Sequence, residues 1–208
     1  MPSSEKKVSK KKVGKTAPKI SKKPAPKVPK KTKPPASTKA TKKAVPKAPK
    51  IDSAGLEGKM APEFVLADAD GNTVALKDLL GANNLVLYFY PKDMTPGCTI
   101  EACSFRDYND QLAALGATVV GISADSSASH AKFVTKHGLN FPLLADPENK
   151  VTGLYGVYKM KSLYGREFMG IERTTFVIDK SGVVRRVFAK VKVNGHTDQV
   201  IEALKALA

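Results

Sequence analysis

The chain has no tryptophan, only two cysteines and no apolar run that approaches the ~20 residues of a membrane span. Two thiols are too few for a disulfide-rich secreted scaffold, so we expect them to be catalytic, redox-active or simply buried. The charged start is not followed by the apolar segment of a secretory signal. A transit peptide is disfavoured because the first 50 residues contain no arginine. We therefore expect neither secretion nor a membrane partner.

The first 50 residues also lack Phe, Tyr, Leu and Cys, yet they hold nine of the 14 prolines. They carry 18 lysines against one acid, a charge of +17, whereas the rest of the chain balances 17 basic against 18 acidic side chains, a charge of −1. The net charge of +16 therefore lies in one segment, the basic arm (residues 1–50). Without large apolar side chains a segment cannot offset its ordering entropy. We expect residues 1–52, the arm and its linker, to be disordered.

Residues 53–208 are long enough for one domain with its own core, and their pattern alternates between strands and helices. Apolar runs predict buried strands at 85–90 and 118–123, and a shorter strand at 64–66. A turn between two apolar runs predicts a hairpin at 174–178 and 183–188. Helical spacing predicts helices at 99–115, 127–137 and 197–207. This order predicts an α/β fold with a mixed central sheet flanked by helices.

Cys98 follows a loop of two prolines and a glycine after the first buried strand, in or beside the first turn of the predicted helix. The first turn of a helix offers unpaired backbone N–H groups and the positive end of the helix dipole. Both stabilise a thiolate, which is the reactive form of cysteine. The position of Cys98 therefore indicates a nucleophilic thiol, although a lone cysteine is more often an ordinary core residue.

Cys103 lies five residues after Cys98 on the same predicted helix. In a regular helix the two Cα atoms would be about 8–9 Å apart, whereas a disulfide needs them within about 7 Å. A disulfide between the two cysteines therefore requires the start of the helix to unwind.

Other chemistry fits the sequence less well. Two cysteines without a neighbouring histidine are too few ligands for a metal, and the Cys-x4-Cys spacing differs from the Cys-x-x-Cys of thioredoxin-type oxidoreductases. We interpret His130, His137 and His196 as ordinary surface or core residues. We assign no chemical role to Glu101, because an exposed acid in the first turn of a helix, favoured by the helix dipole, is at least as good an interpretation as a functional one.

Three consecutive motifs surround Cys98: Tyr88-Phe-Tyr-Pro-Lys-Asp93, Thr95-Pro-Gly-Cys98 and Glu101-Ala-Cys-Ser-Phe-Arg-Asp107. Together with a later block, Gly170-Ile-Glu-Arg-Thr-Thr-Phe-Val-Ile-Asp179, they resemble the peroxiredoxins, specifically the peroxiredoxin Q or bacterioferritin-comigratory-protein subfamily. The resemblance covers residues 55–208 and leaves out the basic arm. It implies a thioredoxin-like fold and a thiol-dependent peroxidase that reduces hydrogen peroxide and alkyl hydroperoxides.

The resemblance also implies roles for individual residues. Cys98 would be the peroxidatic cysteine and Cys103 the resolving cysteine. Thr95 would orient the thiolate and the peroxide, and Arg173 would stabilise their charge. The substrate pocket would be shaped by three residues of the loop and helix start, Pro91, Pro96 and Gly97. The resemblance implies thioredoxin or a similar dithiol as reductant, no cofactor, and a monomer.

The basic arm lies outside the resemblance and has clusters of lysine separated by Ala, Pro, Thr and Ser. Lys30-Lys-Thr-Lys33 fits a short nuclear-import signal. We expect the arm to place the protein in a nucleus or nucleoid through sequence-independent contact with DNA, since it has neither arginine nor aromatic residues to read bases. The alternatives are a solvated tail on a cytoplasmic enzyme, and a DNA-associated redox sensor or chaperone in which peroxide is the signal.

Overall fold

The structure is a computed structural model that describes residues 52–163 and 165–207. Nearly all of the predicted disordered segment, residues 1–51, lies outside the described residues, so its disorder and the domain boundary after residue 52 stay predictions. In the part of the chain that the structure describes, no helix is long and apolar enough to cross a membrane.

The described residues form nine strands and six α-helices, preceded by a 3-10 helix at Ser53–Leu56. The strands are Val65–Asp68 (β1), Thr73–Ala75 (β2), Asn84–Phe89 (β3), Ala117–Ser123 (β4), Leu143–Ala145 (β5), Tyr158–Leu163 (β6), Arg166–Ile171 (β7), Thr174–Ile178 (β8) and Val184–Ala189 (β9). The helices are Leu76–Leu79 (α1), Pro96–Asp107 (α2), Asn109–Ala114 (α3), Ser127–His137 (α4), Lys150–Leu154 (α5) and His196–Lys205 (α6).

Seven strands make one sheet in the order β2-β1-β5-β4-β3-β8-β9, and β6 pairs with β7 as a separate hairpin. Strands β3, β4 and β5 run parallel to one another, β8 pairs with β3 in antiparallel orientation, and β9 pairs with β8 in antiparallel orientation. The predicted mixed sheet is confirmed. One apolar layer contains side chains of α2, α3, α4 and α6, and the other contains side chains of α1 and α5, so helices flank both faces.

Strand β3 is buried over its whole length because β4 and β8 pair with it on either side and helices cover both faces. Its side chains alternate between the layers: Leu85 and Leu87 face one, whereas Val86 and Tyr88 face the other. The predicted strand at 85–90 is confirmed with a shift of one residue, and Tyr90 remains buried beyond the strand.

The single helix predicted at 99–115 is wrong in two respects. It begins earlier, at Pro96, because proline fits the first position of a helix, where its missing N–H needs no partner. It is also divided at Tyr108, whose φ of −97° and ψ of 5° leave the helical region between α2 and α3. Helix α4 agrees with its predicted bounds: the Ser126 side chain accepts from the Ser129 N–H, and Gly138 ends the helix at φ 59°.

Candidate active site

Cys98 is the third residue of α2, directly beyond the loop that leaves the carboxyl end of β3. Its side chain is 1% exposed and belongs to the apolar layer between the sheet and α2. The first intrahelical bond of α2 runs from the Thr99 N–H to the Thr95 carbonyl, at 2.9 Å. The N–H groups of Gly97 and Cys98, which precede Thr99, have no acceptor carbonyl within the helix. They remain available to stabilise a negative charge on the sulfur.

Arg173 lies beside this sulfur because of the pairing between β3 and β8. Thr174, the first residue of β8, is in register with Phe89, the last residue of β3, and this places the preceding arginine at the same end of the sheet. The Arg173 Nη2 donates to Cys98 Sγ at 3.2 Å, and its Nη1 donates to Glu101 Oε2. Burial opposes the charge of Arg173, but these two partners outweigh it and raise the pKa of the guanidinium.

Glu101 is buried, so the interpretation of this residue as an exposed acid is wrong. It lies three residues after Cys98 and therefore on the same face of α2. Its Oε2 accepts from Arg173, while its Oε1 has no hydrogen-bond partner among the described residues. Burial raises the pKa of Glu101 to about 7, and the charge of Arg173 only partly opposes this increase.

The Tyr88 ring lies in the same apolar layer, next to Phe105 of α2, with ring centroids 4.9 Å apart. Its hydroxyl is buried and has no partner within the described part of the chain. Burial raises the pKa of Tyr88 well above its ordinary value, and the negative charges of Glu101 and Cys98 raise it further. The sequence motif contains Tyr88, but nothing in the pattern indicates that its hydroxyl is buried without a partner.

The other predicted pocket residues surround the start of α2. Thr95 is half-buried at the N-cap, and its hydroxyl donates to the Lys92 carbonyl at 2.9 Å instead of capping the helix. Pro91 and Pro96 are exposed. Gly97 lies against the arginine: a Cβ at this position would be 3.3 Å from Arg173 Nη2. The absence of a side chain at Gly97 therefore allows the guanidinium to approach the sulfur.

Cys103 is half-buried on α2, and both cysteines are free thiols. Five residues correspond to roughly 140° around the helix axis, so the two side chains leave α2 in different directions. Because α2 is continuous from Pro96 to Asp107, the two thiols are not arranged for a disulfide in this conformation.

A second group of buried polar residues was not predicted from the sequence. Asp93, in the loop between β3 and α2, is 4% exposed and contacts His130 of α4. Asp93 is part of the first motif, but neither its burial nor its partners can be seen in the sequence. No group of three or more His, Cys, Asp or Glu side chains suitable for a metal ion occurs within residues 52–163 and 165–207.

Comparison with known proteins matches residues 58–187 to the AhpC/TSA family. The chain is 48% identical to Peroxiredoxin Bcp of Bacillus subtilis over 151 residues, 73% of this chain and 96% of that protein. It is 45% identical to Peroxiredoxin Bcp of Escherichia coli over 148 residues, 71% of this chain and 94% of that protein.

Among solved structures, the bacterioferritin comigratory protein of Xanthomonas campestris has a TM-score of 0.66 and 40% identity, over 69% of this chain and 91% of that protein. The expected thioredoxin-like peroxiredoxin fold is confirmed. The family match begins at residue 58 and leaves out the basic arm, so the predicted nuclear placement and DNA contact gain no support from it. On these similarities the chain belongs to the AhpC/TSA family and, within it, to the peroxiredoxins of the Bcp or peroxiredoxin Q group.

Proposed function

We propose that this protein is a thioredoxin-dependent peroxidase that reduces hydrogen peroxide and alkyl hydroperoxides through Cys98. The contact that carries the proposal is the one between Arg173 Nη2 and Cys98 Sγ, at 3.2 Å in a buried site at the start of a helix. A guanidinium there favours the thiolate and the negative charge that moves onto the peroxide. Alkyl peroxide reduction is the activity for which the Xanthomonas structure is described, which supports the substrate class.

In the first step the Cys98 thiolate attacks the terminal oxygen of the hydroperoxide in line with the O–O bond. The S–O bond forms as the O–O bond breaks, and Cys98 becomes a sulfenic acid. The leaving alkoxide or hydroxide takes up a proton and departs as alcohol or water. Arg173 and the Cys98 N–H are the donors that we assign to the two peroxide oxygens. The Thr95 hydroxyl joins them as a third donor when its proton leaves the Lys92 carbonyl.

In the second step the Cys103 thiolate attacks the sulfenic sulfur of Cys98, forms a disulfide and releases water after protonation. Since both cysteines lie within the continuous α2, this step requires the turn at Thr99–Glu101 to unwind. An external dithiol such as thioredoxin then reduces the disulfide by thiol–disulfide exchange and is itself oxidised. The two cysteines and this dithiol balance the electrons of the cycle without a cofactor.

Peroxide-dependent oxidation of NADPH, coupled through thioredoxin reductase and thioredoxin, tests the proposal. We expect Cys98→Ser to abolish turnover. We expect Cys103→Ser to consume about one equivalent of peroxide and then to stop cycling with thioredoxin. Turnover by Cys98→Ser would refute the role of Cys98, and parental cycling by Cys103→Ser would refute the two-cysteine mechanism. Amide exchange at Thr99–Glu101 tests the unwinding, because native-like protection in the disulfide form contradicts it.

The charge of the basic arm supports a further proposal: sequence-independent contact with DNA that places a monomeric enzyme in a nucleus or nucleoid. Each phosphate neutralised by a lysine adds salt dependence, so the affinity for a DNA duplex should fall steeply between about 50 and 200 mM salt. A variant with the 18 arm lysines replaced by glutamine should lose this affinity. If the lysine-to-glutamine variant binds DNA like the parent, the contact between the arm and DNA is refuted. Light scattering tests whether the protein is a monomer.

The arm also favours a second candidate function, a DNA-associated redox sensor or chaperone in which oxidation of Cys98 is the signal. Slow thioredoxin-coupled turnover together with tight, salt-sensitive DNA binding would favour the sensor. Fast turnover that the lysine-to-glutamine replacement leaves unchanged would favour the peroxidase.

A further inference from the structure

Asp93 is a buried carboxylate that the proposed chemistry does not use, and it lies in the loop that delivers Cys98. The loop joins the end of β3 to the start of α2, and its other central residues, Pro91, Lys92 and Met94, are exposed. Asp93 alone turns inward, with 4% of its surface exposed. A buried carboxylate is unfavourable unless donors surround it, so its partners indicate what it does.

Three side chains donate to the Asp93 carboxylate, one from the same loop and two from α4. Tyr90 Oη donates to Oδ1 at 2.7 Å, while Ser129 Oγ and His130 Nδ1 donate to Oδ2 at 2.7 and 2.9 Å. Ser129 and His130 belong to the first turns of α4, where the helix dipole also favours a negative charge. Burial opposes the charge, but these donors hold the pKa of Asp93 below its ordinary value.

The backbone of Asp93 is fixed as well. Its N–H donates to Asp125 Oδ2 at 2.8 Å, and the same oxygen accepts from Ser123 Oγ at 2.8 Å. Ser123 is the last residue of β4, the strand parallel to β3. The loop is thus tied at this one residue to the end of the neighbouring strand and to α4.

The next residue, Met94, has a φ of 60°, a left-handed conformation that is unfavourable for a side chain of this size. Such a conformation persists only where the surroundings determine it, and the bonds of Asp93 supply that constraint on one side. On the other side Thr95 is bonded to Lys92 of the same loop through its hydroxyl and to Thr99 of α2 through its carbonyl, and neither bond reaches the neighbouring strand or α4. The first residue beyond the fixed part of the loop is therefore Met94.

We propose that Asp93 is a positioning residue that holds the loop for the peroxide step and provides the fixed end, just before Met94 and Thr95, from which the first turns of α2 unwind in the disulfide step. The inference rests on the proposed peroxidase function. It predicts that a loosened Asp93 slows the attack on peroxide, because Thr95 and the start of α2 lose their position. It also predicts that disulfide formation does not slow, because that step requires the helix start to leave this position.

Asp93→Asn is the most informative variant, since the amide keeps the size of the side chain. Whichever way the amide turns, its NH₂ group faces either Tyr90 or the pair Ser129 and His130, all of which donate to the carboxylate. The matched control is Asp146→Asn. Asp146 is also buried, at 2%, but its carboxylate accepts from the N–H groups of Lys150 and Thr152 in α5.

Stopped-flow measurements on the full chain separate the two steps: the oxidation rate is proportional to peroxide concentration, and the rate of disulfide formation is not. We expect Asp93→Asn to lower the second-order rate constant for peroxide by about tenfold or more, with disulfide formation at or above the parental rate. Less Cys98 sulfinic acid should accumulate at high peroxide. Asp146→Asn should change neither rate.

Equal slowing of both steps, or parental rates for both, would overturn the inference. If Asp93→Asn does not fold, Tyr90→Phe removes one of the three donors and should show the same asymmetry to a smaller degree. The parental rates decide the proposed function separately. If the parent does not react with peroxide, the peroxidase proposal fails. If the parent reacts, the positioning role fails when Asp93→Asn slows both steps equally or leaves both at parental rates.

Discussion

Replacement of Glu101 by glutamine should change how the stability of the fold depends on pH. Glu101 is buried beside Arg173, and burial raises the pKa of its carboxyl from 4.5 to about 7. Glutamine is nearly the shape of the protonated acid and cannot ionise. The difference in unfolding free energy between Glu101→Gln and its parent therefore isolates the ionisation of this one side chain.

The magnitude follows from the pKa values. One pKa unit is worth about 1.4 kcal/mol, so ionised Glu101 is less favourable in the folded chain than in the unfolded chain by about 3 kcal/mol. Because the folded pKa is the higher one, the folded chain binds more protons between pH 4.5 and 7. The protonated Glu101 contributes fully to the stability of the fold below pH 4.5, and this contribution is lost as the pH rises through 7. As the pH rises over this interval, the unfolding free energy of Glu101→Gln should increase by about 3 kcal/mol relative to that of its parent.

His196 changes the stability in the opposite direction and would hide the effect in the parent alone. Burial, and to a lesser degree the charge of Arg173, lowers its pKa from 6.5 to about 4. Its contribution is complete above pH 6.5 and is lost as the pH falls to 4, because the buried imidazole is held neutral in the folded chain. The two groups therefore oppose each other between pH 4.5 and 6.5, and the unfolding free energy of the parent should vary less with pH than that of Glu101→Gln.

Urea unfolding followed by circular dichroism at 222 nm is a suitable assay, since the chain has no tryptophan. All proteins carry Cys98→Ser, so that ionisation of the Cys98 thiol beside Arg173 does not contribute. Glu63→Gln, which removes the charge of an exposed acid instead of a buried one, is the control and should not reproduce the change of about 3 kcal/mol. If Glu101→Gln also differs from its parent by a constant amount between pH 4.5 and 8, the reasoning from burial is refuted.

Three further substitutions test the packing of the site. Gly97→Ala places a Cβ 3.3 Å from Arg173 Nη2 and should slow the peroxide reaction about tenfold in stopped flow, whereas Gly153→Ala, with no atom within 4 Å of its Cβ, should not. Tyr88→Phe removes a buried hydroxyl without a partner in the described residues and should raise the unfolding free energy by about 1 kcal/mol. Gly121→Ala places a Cβ 2.7 Å from the Tyr88 ring and should lower the unfolding free energy by about 1–3 kcal/mol. Unchanged urea midpoints for Tyr88→Phe and Gly121→Ala would contradict both stability predictions.

The elements that the sequence predicted well carry their signal locally. Strand β3 is a continuous apolar run, and α4 has a serine before its start and a glycine after its end. The elements that it missed lack such signals. Strand β5 is only three residues long, which is too short to show the alternation of side chains that identifies a strand. The β6–β7 hairpin is formed by strands rich in exposed polar and methionine side chains. Their pairing depends on neighbours far away in the chain.

The site shows the same division. The position of Cys98 could be predicted because a helix start is a local feature, and Gly97 and Pro96 mark it. The burial of Glu101 could not be predicted, because its partner Arg173 is 72 residues away and reaches it only through the pairing of β8 with β3. Nor does a sequence contain the partners of Asp93, which lie 36 and 37 residues further along the chain in α4.

The buried carboxylate of Glu101 also bears on the conformational step that the proposed cycle requires. Unwinding Thr99–Glu101 breaks the charge-assisted hydrogen bond from Arg173 to Cys98, worth about 1.5–3 kcal/mol. The bond from Arg173 to Glu101 is already included in the net pKa shift of Glu101. Above pH 7 the same motion returns an ionised Glu101 to water and recovers about 3 kcal/mol. The two contributions offset each other to within a few kcal/mol, so the helix start can be stable enough to present Cys98 to peroxide and still open for Cys103. Below pH 5 the protonated acid no longer favours opening, so unwinding of the helix start should be less favourable there than above pH 7.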